Sequence, residues 1–368
     1  MPVPPRRSGS DWFIPAVVLI MLVLLATWLT QPDPAQPPAT TKTPSGEGPA
    51  SSSPLAPAEG YLFCHWNVEN FYDDRDDPHN HDELEDWFGR NPDVVREKVE
   101  QLSDALLTQN DGHGPDILAM VEVESRRSVE LLRDALNAHL PPEWHYRGLI
   151  QRNYHQDRRL APAVLTRLPV RDDLSRLRLP RRILEAHLEA AGAPLVILSS
   201  HWTSRLRGDT EAKREAYAAA VYAAFRALAR SDPAADVLIS GDFNDEPDDP
   251  SVRDDLHATG DPSLVVETDT EPRLLDLMIG LDPRRMGTFY YNGHWQILDH
   301  IVAAPGLLDP AGWQIVPETL RTANAPALRL GRTGRPLRFG SDNNQNPRGP
   351  SDHFALTVRL RVQQADSW

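Results

Sequence analysis

Val237-Leu238-Ile239-Ser240-Gly241-Asp242-Phe243-Asn244-Asp245-Glu246-Pro247 is the stretch that decides how this chain is read. A short apolar run, Val237 to Ser240, reads as a buried strand, and Gly241 ends it. Asp242 and Asn244 then stand two apart, on one face at the strand end. Gly, Asp, Asn and Pro are turn formers, so the plain reading is a loop. The chemical reading is a carboxylate able to take a proton, beside an amide able to hold a water or a phosphate oxygen.

The same grammar recurs along the chain. Strands are predicted at Tyr61 to Val68, Asp116 to Val123, Ala163 to Thr166, Ile183 to Leu188, Leu195 to His201, Ile297 to Ala303 and Phe354 to Val362. Helices are predicted at Val94 to Leu107, Val129 to His139 and Glu211 to Arg230; in the last, Tyr217, Val221, Phe225 and Leu228 share a face. Strands outnumber helices, which implies sheets covered by helices within one domain, residues 60–368.

Polar residues gather where those strands end. Asn67 lies in Cys64-His65-Trp66-Asn67-Val68-Glu69-Asn70. Glu122 and Glu124 follow Met120, and a regular strand would put all three on one face. Two carboxylates on an apolar strand call for a metal or an arginine, unless the strand has already ended and both are solvated. His201 closes the run before Trp202-Thr203-Ser204-Arg205. Asp299 lies inside Leu298-Asp299-His300-Ile301-Val302 and needs a partner, for which an imidazole is suited. Ser351-Asp352-His353-Phe354 opens the final strand with an oxygen ligand for a hard cation and a phosphate hydrogen-bond donor.

Taken in order, Asn67, Glu122, His201, Asp242 with Asn244, Asp299, and Asp352 with His353 resemble the signature of the endonuclease/exonuclease/phosphatase (DNase I-like) superfamily. The resemblance runs from Tyr61 to about Val362. Its most specific pieces are Trp66 to Asn70, Gly241 to Asp245 and Ser351 to Phe354. It implies an α/β (α+β) fold, a four-layer αββα sandwich. It further implies Glu122 as main Mg²⁺ ligand with Asn67 and Asp352 near the metal, and Mn²⁺ as a substitute. Asp242 would activate the attacking water, Asn244 would hold water or phosphate oxygen, and His353, oriented by Asp299, would bind the phosphate opposite His201. Glu69 falls where some members place another metal-associated carboxylate. Many members have Gln before the metal-binding Glu; here it is Val121. Ser200 and Thr203 replace an Asn and a Pro often found near His201, and Leu160 and Pro162 a Gly and an Asp near Arg159. None of these departures removes a residue given a catalytic role.

Composition bounds the rest. The 368 residues hold 38 Lys plus Arg against 53 Asp plus Glu, a net charge of −15, which argues against a general polyanion-binding surface. The single cysteine, Cys64, excludes an intramolecular disulfide and any cysteine-only zinc cluster. Acids crowd into Glu69 to Asp86 and Asp242 to Asp255. Within the first, Asp73 to Asp86, with His79 and His81 inside it, reads as a solvated loop without regular Ca²⁺-ligand spacing; a bound Ca²⁺ is the alternative.

Arg6 and Arg7 precede an uncharged run, Trp12 to Leu29, that spans roughly 27 Å as a helix. It reads as an uncleaved signal anchor (residues 1–30), with a cleaved signal peptide as the alternative. The Pro/Ala/Ser/Thr-rich stretch 31–59 reads as a disordered linker to an extracytoplasmic domain.

The expected partner is a phosphate ester. Nucleic acid is favoured over phospholipid, because Arg321 to Arg348 carries six arginines against Asp342 and because Arg205, after His201, can meet a phosphate. The competing view is that these arginines neutralise the acidic stretches. A lipid or small-molecule phosphoesterase would suit the membrane tether, with Phe289, Tyr290, Tyr291 and Trp295 as an exposed aromatic hairpin; the plainer and favoured reading packs Gly287 to Trp295 beside the strand of Asp299. A non-catalytic binding module would require a lost catalytic residue, and none is lost. No protein partner is implied.

Overall fold

The computed structural model describes residues 59–363, apart from 78–81, 155–158, 209, 267–270 and 342–346. The expected anchor, all of the linker but residue 59, and His79 and His81 lie outside the described residues. Among the described residues no helix is long and apolar enough to cross a membrane.

Two sheets face each other. In spatial order, the first holds Trp313–Ala323, Ala355–Val362, Tyr61–Phe71, Ile117–Val123, Ala161–Thr166 and Gly148–Gln151. The second holds Arg176–Arg178, Ile183–Ala190, Ala193–His201, Val237–Asp242, Asp299–Ala303, Leu274–Asp276 and Ala258–Thr259. Between them lies a core fed by alternate residues: Tyr61 and Phe63, Ile117 and Ala119, Leu195 and Ile197, Ile301 and Ala303, Leu356 and Val358.

The residues between these in the first sheet, such as Cys64, Trp66, Leu118 and Met120, meet helices Pro92–Leu107 and Arg126–His139 through Val95, Leu102, Val129 and Leu132. In the second sheet, Val196, Leu198, Val237 and Ile239 meet Tyr217, Val221 and Phe225 of helix Glu211–Ser231. The order is therefore helices, sheet, sheet, helix, as expected. The helices start where local chemistry allows. Pro92 opens one, and the Ser125 hydroxyl accepts the Ser128 N–H to cap another.

Strand direction places the site. Tyr61–Phe71 runs parallel to Ile117–Val123, and Ala193–His201 runs parallel to Val237–Asp242. Each parallel pair brings two C-terminal ends together, Asn67 with Val121 in one sheet and His201 with Asp242 in the other. Asp299 of the antiparallel neighbour lies opposite Asp242. Gly241 is required here, since a Cβ would come within 2.3 Å of the Ser200 carbonyl oxygen.

Three features differ from the sequence reading. Glu122 and Glu124 do not share a face with Met120. Glu122 takes φ +65°, and the register shifts between Met120 and Val123, so a bulge turns Glu122 out of the strand alternation. The acidic stretch before Asp86 is not all solvated loop: Glu83–Gly89 is a helix capped by Asp82, and its Phe88 is buried against Tyr72 and Phe339. Strands Gly148–Gln151 and Trp313–Ala323 of the first sheet, and Arg176–Arg178, Ala258–Thr259 and Leu274–Asp276 of the second, lie outside the strands expected from sequence.

Candidate active site

A cleft of about 760 Å³ opens at these strand ends, lined among others by Asn67, Glu122, His201, Asp242, Asn244, Asp352 and His353. Asp242 sits at its base, buried. Its Oδ1 accepts the Asn244 backbone N–H at 2.9 Å and its Oδ2 accepts Asn67 Nδ2 at 2.9 Å. Two imidazoles converge on that Oδ2, His201 Nε2 at 3.5 Å and His353 Nε2 at 3.8 Å. Burial raises the Asp242 carboxyl above the usual range, against the opposing pull of His353 and His201.

Asp299 is wholly buried and holds two rings. His353 Nδ1 lies 2.7 Å from Oδ2, and His65 Nε2 lies 3.2 Å from Oδ1. Burial alone would raise Asp299, but the charge and hydrogen bond of His353, with those of His65, outweigh it and hold the carboxyl well below the usual range. Burial opposes the charged form of His353 as well, here by disfavouring its proton, and the charges of Asp299 and Asp242 reverse that, lifting the imidazole well above its ordinary value. The neighbour His300 is not the partner of Asp299. It faces the other side of the strand, with Nδ1 2.7 Å from Asp276 Oδ2.

His65 was missed by the sequence reading. The signal was there: residues 61, 63, 65 and 67 alternate onto the inner face, so a histidine two before Asn67 must point between the sheets, where Asp299 is.

Glu122 accepts Asn67 Nδ2 at 3.1 Å and the Asn70 N–H at 2.8 Å, with His201 Nε2 3.8 Å away. Burial would raise it; the charge of His201 and these donors prevail and lower it. Asp352 is pushed up to about 7 by burial and by the charge of Glu69. Asn67 lies beside both acids but offers them its amino group, while its oxygen accepts the Glu69 N–H at 3.0 Å. It bridges Glu122 and Asp242 as a donor, at the metal-side acid and the candidate base together.

Two further expectations change. Glu69 accepts the Arg338 guanidinium and the N–H groups of Phe339 and Gly340, so its charge is already met by an arginine. Arg205 does line the cleft, but its guanidinium pairs with Asp245 and Asp249 and donates to the Asn244 carbonyl, so no fork remains for a phosphate. Arg338 is turned to Glu69, at the start of the first acidic stretch, while Arg348 faces Glu97, outside both stretches.

The loops carrying these groups are tied from behind. Buried Lys98, lowered by desolvation to about 8, donates to the Glu69 carbonyl at 2.9 Å and the Pro350 carbonyl at 2.7 Å. The Ser351 hydroxyl donates to the Asn67 carbonyl at 2.6 Å and accepts the His353 N–H. Trp66 Nε1 reaches the His353 carbonyl. The aromatic hairpin packs on the residues that open the final strand: Phe289 stacks on His353 at 4.7 Å and Trp295 on Phe354.

Asp242, Asp299 and His353 bring ligand-type atoms within 4.8 Å of one another. A cation there would have to displace the hydrogen bonds that occupy both oxygens of Asp299. Glu122 and Asp352 carry no such obligation to a buried imidazole, and they offer only oxygen, the donor set of a hard divalent cation.

Comparison with known proteins now adds what geometry alone does not. No curated protein sequence matches the chain. Among solved structures, a humanized Danio rerio (D. rerio) TDP2 carrying 14 mutations aligns at 15% identity, over 83% of this chain and 100% of that one, with a TM-score of 0.51. D. rerio TDP2 complexed with a single strand DNA product aligns at 13% identity, over 82% of this chain and 99% of that one, with a TM-score of 0.50. At such identity the likeness establishes the fold. The sequence profile described as "Endonuclease/Exonuclease/phosphatase family" matches residues 166–362, just over half of the chain, and that span carries His201, Asp242, Asn244, Asp299, Asp352 and His353. The chain belongs to the endonuclease/exonuclease/phosphatase family of phosphoester hydrolases.

Proposed function

We propose that the protein is a Mg²⁺-dependent phosphodiesterase that attacks phosphorus with water, on a nucleic-acid substrate in preference to phospholipid. The observation that carries this is the convergence of His201 and His353 on one oxygen of buried Asp242 at the base of an open cleft. Asp242 takes the proton of the attacking water as the new O–P bond forms and the bond to the leaving oxygen breaks. His353, kept protonated by Asp299 and Asp242, donates to a phosphate oxygen, and His201 donates from the facing strand. Asn244 stands beside Asp242 to hold water or phosphate oxygen.

Enzymes of the family use divalent metal ions. Glu122 and Asp352 would hold one here, with Asn67 fixing Glu122. Burial first, and the charges of Glu69 and Glu122 after it, lift Asp352, and a cation offsets all three. Bound there, it would neutralise the ester so that an oxygen nucleophile can approach.

The preference for a diester rests on the cleft rather than on the arginine run. Phe289 and Tyr291 line it, with Tyr291 43% exposed, and so do Lys213 and Arg182. A π-surface beside positive charge suits the base and phosphate of a flanking nucleotide. The same proposal keeps the domain outside the cytoplasmic membrane, on the strength of residues 12–29.

The test compares Mg²⁺-dependent hydrolysis of an aryl phosphodiester and an aryl phosphomonoester by the full-length protein and by intact cells bearing it. Faster diester cleavage, available to intact cells that exclude the substrate, is expected. Monoester cleavage alone would make it a phosphatase, and activity only after lysis would put the domain inside.

His65 enters this proposal as a positioning residue that fixes Asp299 and, through it, the ring of His353. His65→Leu is expected to lower kcat about 10–100-fold with KM little changed. His65→Gln, whose amide can still donate to Asp299, should recover most of that. Equal losses in the two variants would reduce His65 to a core filler.

A further inference from the structure

The acidic stretch that follows the first strand is not used by the reaction, and it contains an unresolved charge. Glu85, on helix Glu83–Gly89, is 1% exposed. Its Oε1 accepts the Asp77 N–H at 2.8 Å, and its Oε2, buried, has no hydrogen-bond partner. Asp76 and Asp86 each bring a carboxylate oxygen to within 4.8 Å of that of Glu85 and of one another.

The arginines nearby do not settle this charge. Arg90 pairs with Asp76 at 3.2 Å and Asp86 at 2.9 Å from an exposed position, and Arg159 pairs with Asp77. None of the described cationic side chains pairs with Glu85. Burial, together with Asp76, Asp86 and Asp77, pushes its carboxyl upward, opposed by the Asp77 N–H. A buried carboxylate facing two others must either take up a proton or find a positive species between them, and three oxygens converging on one point favour the second.

We propose that Asp76, Glu85 and Asp86 form a structural site for a hard divalent cation of the size of Ca²⁺, separate from the catalytic cleft. The donors are all oxygen. Three protein carboxylates suit Ca²⁺, which accepts many oxygen ligands in a flexible geometry, better than Mg²⁺, which keeps several of its waters and is usually held by one or two carboxylates. The cation would fasten the segment leaving the catalytic strand to helix Glu83–Gly89, whose Phe88 packs on Tyr72 and on Phe339, the residue after Arg338. It would thereby brace the two segments that close on Glu69.

The test is a Ca²⁺ titration of the full-length protein in saturating Mg²⁺, read as thermal melting. A rise of roughly 5 °C is expected at a hundredfold excess over Kd. Glu122→Gln should keep the rise, since its defect is in the cleft. Glu85→Gln should lose it while retaining Mg²⁺-dependent hydrolysis. Asp76→Asn, at a partly exposed side chain, carries the same expectation and serves if Glu85→Gln fails to fold. No rise in the wild-type protein, a rise that survives in either acidic-cluster variant, or one that vanishes in Glu122→Gln overturns the proposal. A proton on Glu85, rather than a cation, gives the first of these results.

Discussion

Asp242→Asn is expected to lower kcat by about 10²–10⁴-fold while leaving the protein folded, because it removes the one carboxylate placed to take the water proton. The substitution is close to isosteric. Its side-chain oxygen can still accept the Asn244 N–H, as Oδ1 does now at 2.9 Å. The amino group would then face Asn67 Nδ2, which donates to Oδ2 at 2.9 Å, so one buried hydrogen bond becomes a donor–donor contact. That clash costs about 1–3 kcal/mol and is visible as a modest fall in Tm. The substitution also withdraws the negative charge that helps keep His353 protonated, so the phosphate loses its donor as well as the water losing its base. Steady-state rates at saturating Mg²⁺, set beside melting curves, check this. A variant that melts normally and turns over at near wild-type rate would remove Asp242 from the mechanism.

How much of this was legible in the sequence depends on whether local pattern or long-range approach set each feature. The strands around Asn67, His201 and Asp242 were readable because apolar runs bounded by polar residues must be buried, and parallel pairing brings their ends together without further instruction. Asp299 advertised its need for a partner by standing charged in an apolar strand. Its partners come from positions 65 and 353, and only the packed sandwich makes them neighbours.

Other features had weaker signals. The bulge at Glu122 was hidden because nothing in Met120-Val121-Glu122-Val123 marks a left-handed φ; no glycine stands there. Nothing local to Glu69 shows that its charge is met, because its partner, Arg338, lies 269 residues away. Helix Glu83–Gly89 did leave a trace, since Leu84, Trp87 and Phe88 have helical spacing beneath the acidic composition that dominated the reading. Edge strand Trp313–Ala323 alternates imperfectly, with Glu318 and Thr319 at a shift in its register. Alternation fails as a guide wherever a strand is bulged.

The larger conflict to resolve is which acids hold the metal, and Glu122→Gln decides it. Glu122 is held from both sides, by Asn67 Nδ2 on Oε1 and by the Asn70 N–H on Oε2, in a backbone conformation that only tight surroundings maintain. A carboxylate fixed in this way loses little orientational freedom when it binds a cation. Glutamine keeps one of the two acceptors and removes the charge. The expected result is a rise of roughly two orders of magnitude in the Mg²⁺ concentration for half-maximal rate, equivalent to about 3 kcal/mol. Asp352→Asn should act in the same direction and less strongly, because Asp352, lifted to about 7, must give up a proton near neutral pH before it can serve as an anion. Asp299→Asn should cut kcat by loosening His353 and leave the Mg²⁺ requirement unchanged. Direct Mg²⁺ titration of the three variants gives an ordering that the alternative group, Asp242, Asp299 and His353, cannot reproduce, since that group puts the largest loss of affinity on Asp299 and none on Glu122. If Asp299→Asn weakens Mg²⁺ binding while Glu122→Gln does not, the metal sits among the imidazole partners, and Glu122 is a structural acid that orders Asn67 and Asn70.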